Sequence, residues 1–324
     1  MYPLKFENLY FEKVWGSRDL ESFRENLPSG KIGESWDVSC HPHGVSVVSN
    51  GKYKGMKLDK LIRQEGAKLL GTKIPTDKFP LLVKLLNTSD KLSVQVHPDD
   101  EYALKVEGEM GKTEVWYVVE ANEGAKLILG TNGCTKKQFE MAIKEGNPEK
   151  YMNVVEVKKG DVYLIKSGLI HTMGEGLIIA EIQQNSDTTY RVYDYNRGRE
   201  LHIEKALDVI DFNLVGKKSE GLKVEKEGYS KTYYCLNKHF SLELYDIEDN
   251  LIEDSDEERF YIFTCVEGEG EIKYTDGIEK ISMGDSILIP ASLGKYQIVG
   301  QLKLLKSYVP DIQKVENEIL GIVK

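Results

Sequence analysis

LSVQVHPDDEYALKVEGEMGKTEVWYV, residues 92–118, is the stretch from which the rest of the chain can be read. It begins as a strand. Side chains in extended backbone alternate every two residues, so Ser93, Gln95 and His97 point to one face and Val94 and Val96 to the other. Pro98, with no N–H to give a sheet, closes that strand. A turn-rich loop follows, and a second strand is predicted over 113–119 with Glu114 at its start. Pairing of the two strands would bring Glu114 back towards His97, so that an imidazole, a carboxylate and an amide oxygen converge. GLIH, residues 168–171, offers a second imidazole, His171, at the end of another strand. Two histidines and one glutamate with open positions suit a catalytic divalent metal, zinc above all. A single histidine on a strand is ordinarily a core or surface residue; here both stand in patterned stretches, which favours ligands.

Composition narrows the classes. The 324 residues are 40% hydrophobic and 30% charged, enough for one large or two modest domains with their own cores. A formal net charge of −10 argues against nucleic acid and against an anionic membrane surface as partners. It leaves room for an anionic substrate at a local cluster of lysine and arginine. Cys40, Cys134, Cys235 and Cys265 are scattered with no CxxC pair, which reads as reduced thiols in a cytoplasmic protein. MYPLKFENLYFEKVWG, residues 1–16, has no basic segment followed by an apolar one, so no signal peptide is expected. No apolar run approaches the roughly 20 residues that span a bilayer. Nothing in the pattern names a protein partner.

Along the chain, short apolar segments alternate with glycine turns. One or two helical turns are predicted over 20–25 and a strand over 33–39. Leu58, Leu61, Ile62 and Leu69 have helical spacing within 57–70. A buried strand over 79–84 ends at Lys84, where a lysine usually extends its charge to the rim. Thr135 is placed to cap a helix over 136–145, and 202–209 reads as a short helix. The charged stretch 216–228 is the candidate linker. His41 and His43 in CHPHG have no carboxylate at useful spacing, so a turn through Pro42 and Gly44 is the simpler reading.

The C-terminal part echoes what precedes it. Residues 160–166, GDVYLIK, align with 284–290, GDSILIP, at a shift of 124. Residues 114–119, EVWYVV, align with 258–263, ERFYIF, at a shift of 144. The difference matches a helical insertion over 135–151 in the first copy. The fold expected is mainly β: two jelly-roll barrels, with helical segments in and around the first. The shift of 124 carries His171 onto Lys295, so one metal per chain is expected, in the first barrel only.

GDVYLIKSGLIH, residues 160–171, resembles the second cupin motif, with Lys166 in the usual proline position. Together with QVHPDD, GKTEVWY and SDTTYRVYDYNR it makes the chain resemble the type I mannose-6-phosphate isomerases, their short bacterial form in particular, over nearly its whole length. With the linker and the repeat, this gives a catalytic cupin domain over 1–220 and a second, metal-free cupin domain over 221–324. The resemblance implies Zn2+ held by Gln95, His97, Glu114 and His171, with Gln95 the poorest donor because it offers an amide oxygen. It implies Arg191 as the catalytic residue, with Lys112 set beside it in the catalytic assignment, and Trp15, Glu34, Lys84, Ser93 and Lys112 around a phosphorylated hexose.

The chemistry suits these residue types. Mannose 6-phosphate and fructose 6-phosphate interconvert by moving a proton between C1 and C2 through an enediol, and a bound cation stabilises the charge that develops. A guanidinium can donate a fork of hydrogen bonds to that charge but is too basic to carry the proton. By type, Glu34, Lys112 and a metal-bound water all fit the base. A phosphate calls for local cations, which Lys84 and Lys112 supply with the Ser93 hydroxyl. Two alternatives stand beside this: a sugar-binding sensor that has lost turnover, and an iron-dependent dioxygenase, since the same ligands suit iron.

Overall fold

The computed structural model describes residues 1–24 and 26–323. Two compact units compose it, one of Met1–Leu9, Trp36–Lys84 and Glu220–Lys324, the other of Tyr10–Ser35 and Leu85–Ser219.

The second unit carries the organising stretch. A five-stranded sheet runs in the order Met152–Glu156, Lys126–Thr131, His171–Met173, Val94–Val96, Tyr190–Tyr193. Alternation decides what each face meets. Val94, Val96, Ile128, Tyr190 and Val192 pack with Phe139 and Ile143 of the helix Lys136–Lys144 and with Ala206 and Leu207 of the helix Ile203–Val209. Leu127, Leu129 and Met173 point the other way, into a core with Trp116, Val118, Ile165 and Ile179. These last belong to a second sheet, which contains Val162–Ile165, Glu114–Ala121 and Leu177–Gln184 in that order, followed by those parts of Leu81–Thr88, Leu9–Ser17 and Ile32–Val38 that fall within the unit. Gly16 and Gly33 let the last two strands approach closely, since a Cβ on Gly16 would lie 2.6 Å from the Gly33 nitrogen.

The other unit is built on a nine-stranded antiparallel sheet. Its long strands Tyr261–Tyr274 and Lys295–Tyr308 pair along most of their length. Tyr245, Phe263, Ile287, Tyr296 and Leu304 form the centre of its core. The predicted helix over 57–70 is two helices, Leu58–Glu65 and Ala67–Leu70, broken at Gly66, whose φ of +51° ordinary side chains avoid.

The expected pair of jelly-roll barrels is not what forms. Among the described residues every sheet is open and none closes into a barrel, and helices accompany the sheets, so the fold is mixed α/β. Period-two alternation and glycine turns reveal strands and their faces. Closure depends on the tilt and stagger of the first strand against the last, which no local pattern encodes.

Smaller expectations also change. The loop after Pro98 contains a helix, Asp100–Val106, capped by Asp99, whose carboxylate accepts from the Tyr102 N–H. The candidate linker carries the strand Leu222–Lys226. The turn expected over 20–25 is the 3-10 turn Asp19–Ser22, and Glu25 lies outside the described residues. Lys84 does not end its strand but sits buried inside Leu81–Thr88. No helix among the described residues is long and apolar enough to cross a membrane.

Thr135 caps its helix as predicted, in a reciprocal box with Gln138. Thr135→Ala is expected to lower stability by about 1 kcal/mol, the usual cost of losing such a cap. A urea midpoint indistinguishable from that of the parent chain would contradict this.

Candidate metal centre

The two sheets of this unit place the candidate ligands. In the five-stranded sheet His171 lies opposite Gln95, and Gln95 opposite Arg191, so three of the predicted site residues stand side by side on adjacent strands. His97 follows directly after Val94–Val96 and is held there by the Gly168 N–H, which donates to its carbonyl. Glu114 comes from the other sheet, between Ile165 and Gln183. The strands bearing His97 and Glu114 therefore do not pair, as the sequence had suggested; they belong to different sheets. The connecting loop is closed by the Lys112 N–H, which donates to the Pro98 carbonyl at 3.0 Å.

His97, Glu114 and His171 form one buried cluster whose ligand atoms lie within 4.8 Å of one another. Glu114 Oε2 is 3.6 Å from His97 Nε2, and its Oε1 is 3.6 Å from His171 Nε2. That is too long for a good hydrogen bond, but it is about the separation of two donors that share one ion at ~2.0–2.2 Å each. Each imidazole is oriented through its other nitrogen: Nδ1 of His97 lies 2.9 Å from the Thr188 carbonyl and Nδ1 of His171 2.9 Å from the Leu169 carbonyl. Nδ1 therefore carries the hydrogen, and both Nε2 lone pairs face Glu114. Burial, with a contribution from Lys112, pushes the His171 pKa down to about 3, so the ring is neutral, as a ligand must be. This donor set fits a divalent metal of the zinc type.

Around the cluster runs a chain of polar contacts. Arg191 Nε donates to Ser93 Oγ at 3.2 Å, Ser93 Oγ donates to Gln95 Oε1 at 3.3 Å, and the Gln95 amide nitrogen lies 3.4 Å from His171 Nε2. Arg191 Nη1 also donates to the Glu200 carbonyl. Lys112 is buried with its ammonium 3.5 Å from Glu114 Oε2. Burial alone would lower its pKa, but Glu114, Glu181, Asp187 and Glu34 together outweigh that and raise it above the ordinary lysine value.

Gln95, Ser93, Lys112 and Arg191 are thus brought to the cluster. Glu34 forms an ion pair with Lys13 at 2.9 Å and acts electrostatically on Lys112. Trp15 packs in the core between the sheets, among Leu86, Trp116 and Ile179. Lys84 belongs to the other unit, where its ammonium lies 4.8 Å from the centre of the Trp36 ring. His41 and His43 sit on the hairpin of Cys40–His41 and Gly44–Val45, with the His43 N–H donating to His41 Nδ1. They are not part of a metal-capable cluster among the described residues.

Glu181 escaped the sequence reading. It is buried on Leu177–Gln184, accepts from the Trp116 indole N–H at 2.9 Å, and faces the charge of Lys112. Its signal was a lone carboxylate in an apolar run, LIIAEI, residues 177–182. Thr188 was missed because it acts through its carbonyl.

Strand pairing also corrects the internal repeat. Ile165 opposes Glu114, and Ile289, its counterpart at the shift of 124, opposes Tyr261. Tyr261, not Glu258, is therefore the counterpart of Glu114. Likewise Glu181 opposes Trp116, whereas Lys306 opposes Phe263. The second copy has Tyr261 and Lys295 where the first has Glu114 and His171, and there the Lys306 ammonium packs 3.8 Å from the Tyr261 ring centre and pairs with Glu253 at 2.8 Å.

Comparison with known proteins adds the whole-chain relationship. Residues 4–129 match the family model "Phosphomannose isomerase type I, catalytic domain", and 230–309 match "Mannose-6-phosphate isomerase, cupin domain". The chain is 37% identical over 317 residues to a mannose-6-phosphate isomerase of Streptococcus mutans, covering 94% of this chain and 98% of that one. It is 35% identical over 314 residues to mannose-6-phosphate isomerase ManA of Bacillus subtilis, covering 95% and 99%. A crystal structure of the mannose 6-phosphate isomerase from Bacillus subtilis superimposes with a TM-score of 0.89 at 34% identity, over 95% of this chain and 99% of that one. Likeness that runs end to end in sequence and in backbone leaves one assignment: the chain belongs to the type I mannose-6-phosphate isomerase family.

Proposed function

We propose that this chain is a zinc-dependent aldose–ketose isomerase that interconverts mannose 6-phosphate and fructose 6-phosphate through an enediol. The observation that carries it is the buried His97–Glu114–His171 cluster, in which each carboxylate oxygen faces a different imidazole. Held there, zinc would supply Lewis acidity to the sugar oxygens and no redox chemistry of its own, while Gln95, whose oxygen accepts from Ser93, keeps its place as a ligand on its family position.

The chain's own groups do the rest. Arg191 is half-buried, and burial followed by Arg199 lowers its pKa, but a guanidinium starts so high that it stays charged at neutral pH. Fixed by Ser93 and Glu200, it donates to the oxygens that gain charge in the enediolate. Lys112, buried beside Glu114, is assigned as a cationic donor next to the metal. Glu34 and Ser93 are the substrate positions nearest these groups by contact; Trp15 and Lys84 keep that assignment on their family positions. Catalysis is assigned to 1–220 and a metal-free role to 221–324, because Tyr261 and Lys295 replace two ligands in the second copy. A cytoplasmic location is proposed from the four free cysteines.

A coupled assay on mannose 6-phosphate tests the activity. Turnover is expected to vanish after chelation and to return with added zinc. Saturable binding of the sugar phosphate with no turnover at any zinc concentration would instead make the chain a sensor.

A further inference from the structure

We infer that His202 is a positioning residue for Arg191, holding the backbone of that residue at a sheet edge. The inference rests on the role of Arg191 proposed above. Tyr190–Tyr193 is the outermost strand of its sheet, so among the described residues one side of it has no neighbouring strand. Both backbone groups of Arg191 turn to that side and both are met by His202. The Arg191 N–H donates to His202 Nδ1 at 3.3 Å, and the His202 N–H donates to the Arg191 carbonyl at 2.7 Å. One residue thus replaces a missing strand.

The clamp is itself anchored. His202 precedes the helix Ile203–Val209, and its carbonyl accepts from the Ala206 N–H. Its ring lies beside that of Tyr190, with centroids 6.2 Å apart. Two residues earlier, the Glu200 carbonyl receives the Arg191 guanidinium. The short segment 200–202 therefore grips Arg191 by backbone and side chain together. The grip falls where regular pairing ends, because the register with Val94–Val96 shifts between Arg191 and Tyr193. Because both backbone groups of Arg191 point outward, its pairing with Gln95 is of the non-hydrogen-bonded kind. There side chains approach most closely, which suits contact with the metal-side residues.

Nδ1 must accept, so the neutral ring carries its hydrogen on Nε2. Asparagine places Oδ1 at the same bond separation from the backbone and keeps the acceptor; leucine keeps the shape and loses it. His202→Leu is expected to lower kcat by ~10-fold or more with KM within about twofold, because a small displacement of a group that acts on the transition state costs rate. His202→Asn is expected to restore most of kcat. All rates are normalised to bound zinc, and Tm is recorded for each variant; if His202→Leu does not fold, His202→Ala is measured in its place. A wild-type kcat in the acceptor-less variant overturns the inference, and so does an equal loss in the leucine and asparagine variants. Arg191→Ala is run alongside: full activity there sinks the proposed role of Arg191, whereas an inactive Arg191→Ala beside a normal His202→Leu sinks the clamp alone.

Discussion

Replacing His171 by alanine is expected to remove metal and turnover together. His171 offers one of the three buried ligand atoms of the cluster, with its lone pair aimed at Glu114 through the Leu169 carbonyl on its other nitrogen. Loss of an outer hydrogen-bond partner of a metal ligand typically costs 10- to 100-fold in affinity, so loss of the ligand itself should exceed about 100-fold. The alanine variant should then bind less than stoichiometric zinc after dialysis, and its kcat should fall with its metal content. The remaining fold should persist, since the strand His171–Met173 keeps its backbone pairing to both neighbours. Metal analysis that finds one firmly held zinc per chain in this variant would rule out the proposed site.

Arg191→Ala should separate binding from chemistry. Arg191 is linked to the cluster through Ser93 and Gln95 and is not itself one of the three clustered residues, so zinc content should stay near that of the parent chain. Turnover should not. Removing one preorganised donor to a developing oxyanion typically costs ~10²–10³ in kcat, and here a permanent positive charge goes with it. Lysine should rescue poorly: a compact ammonium cannot reproduce the planar fork that spans Ser93 Oγ and the Glu200 carbonyl. Steady-state kinetics at saturating zinc decide the matter, and a kcat within twofold of the parent would remove Arg191 from the mechanism. A large rise in KM at unchanged kcat would make it a binding residue instead.

What could be read from the chain alone was what neighbours in sequence encode. The alternation of Ser93, Gln95 and His97 against Val94 and Val96 requires only extended backbone, and the two faces separate as expected: Gln95 and His97 meet the metal cluster while both valines meet helices. The Thr135 cap is equally local, since donor and acceptor lie three residues apart. The family motifs pointed to His97, Glu114, His171 and Arg191 because each keeps its own short signature. Long-range geometry had no such signature. Glu114 reaches the histidines from an opposing sheet and not along a hairpin, and the sheets stay open instead of closing into barrels. The repeat was out by three residues because similar glutamates can be matched in sequence, whereas pairing to an aligned strand makes Tyr261 the partner of Ile289. Glu181, Thr188 and His202 contribute through contacts 65, 91 and 11 residues away in the chain, and those exist only once the strands have docked. Side-chain periodicity and caps are properties of a few adjacent residues; closure, register between distant strands and convergence on one ion are settled only when the whole chain is packed.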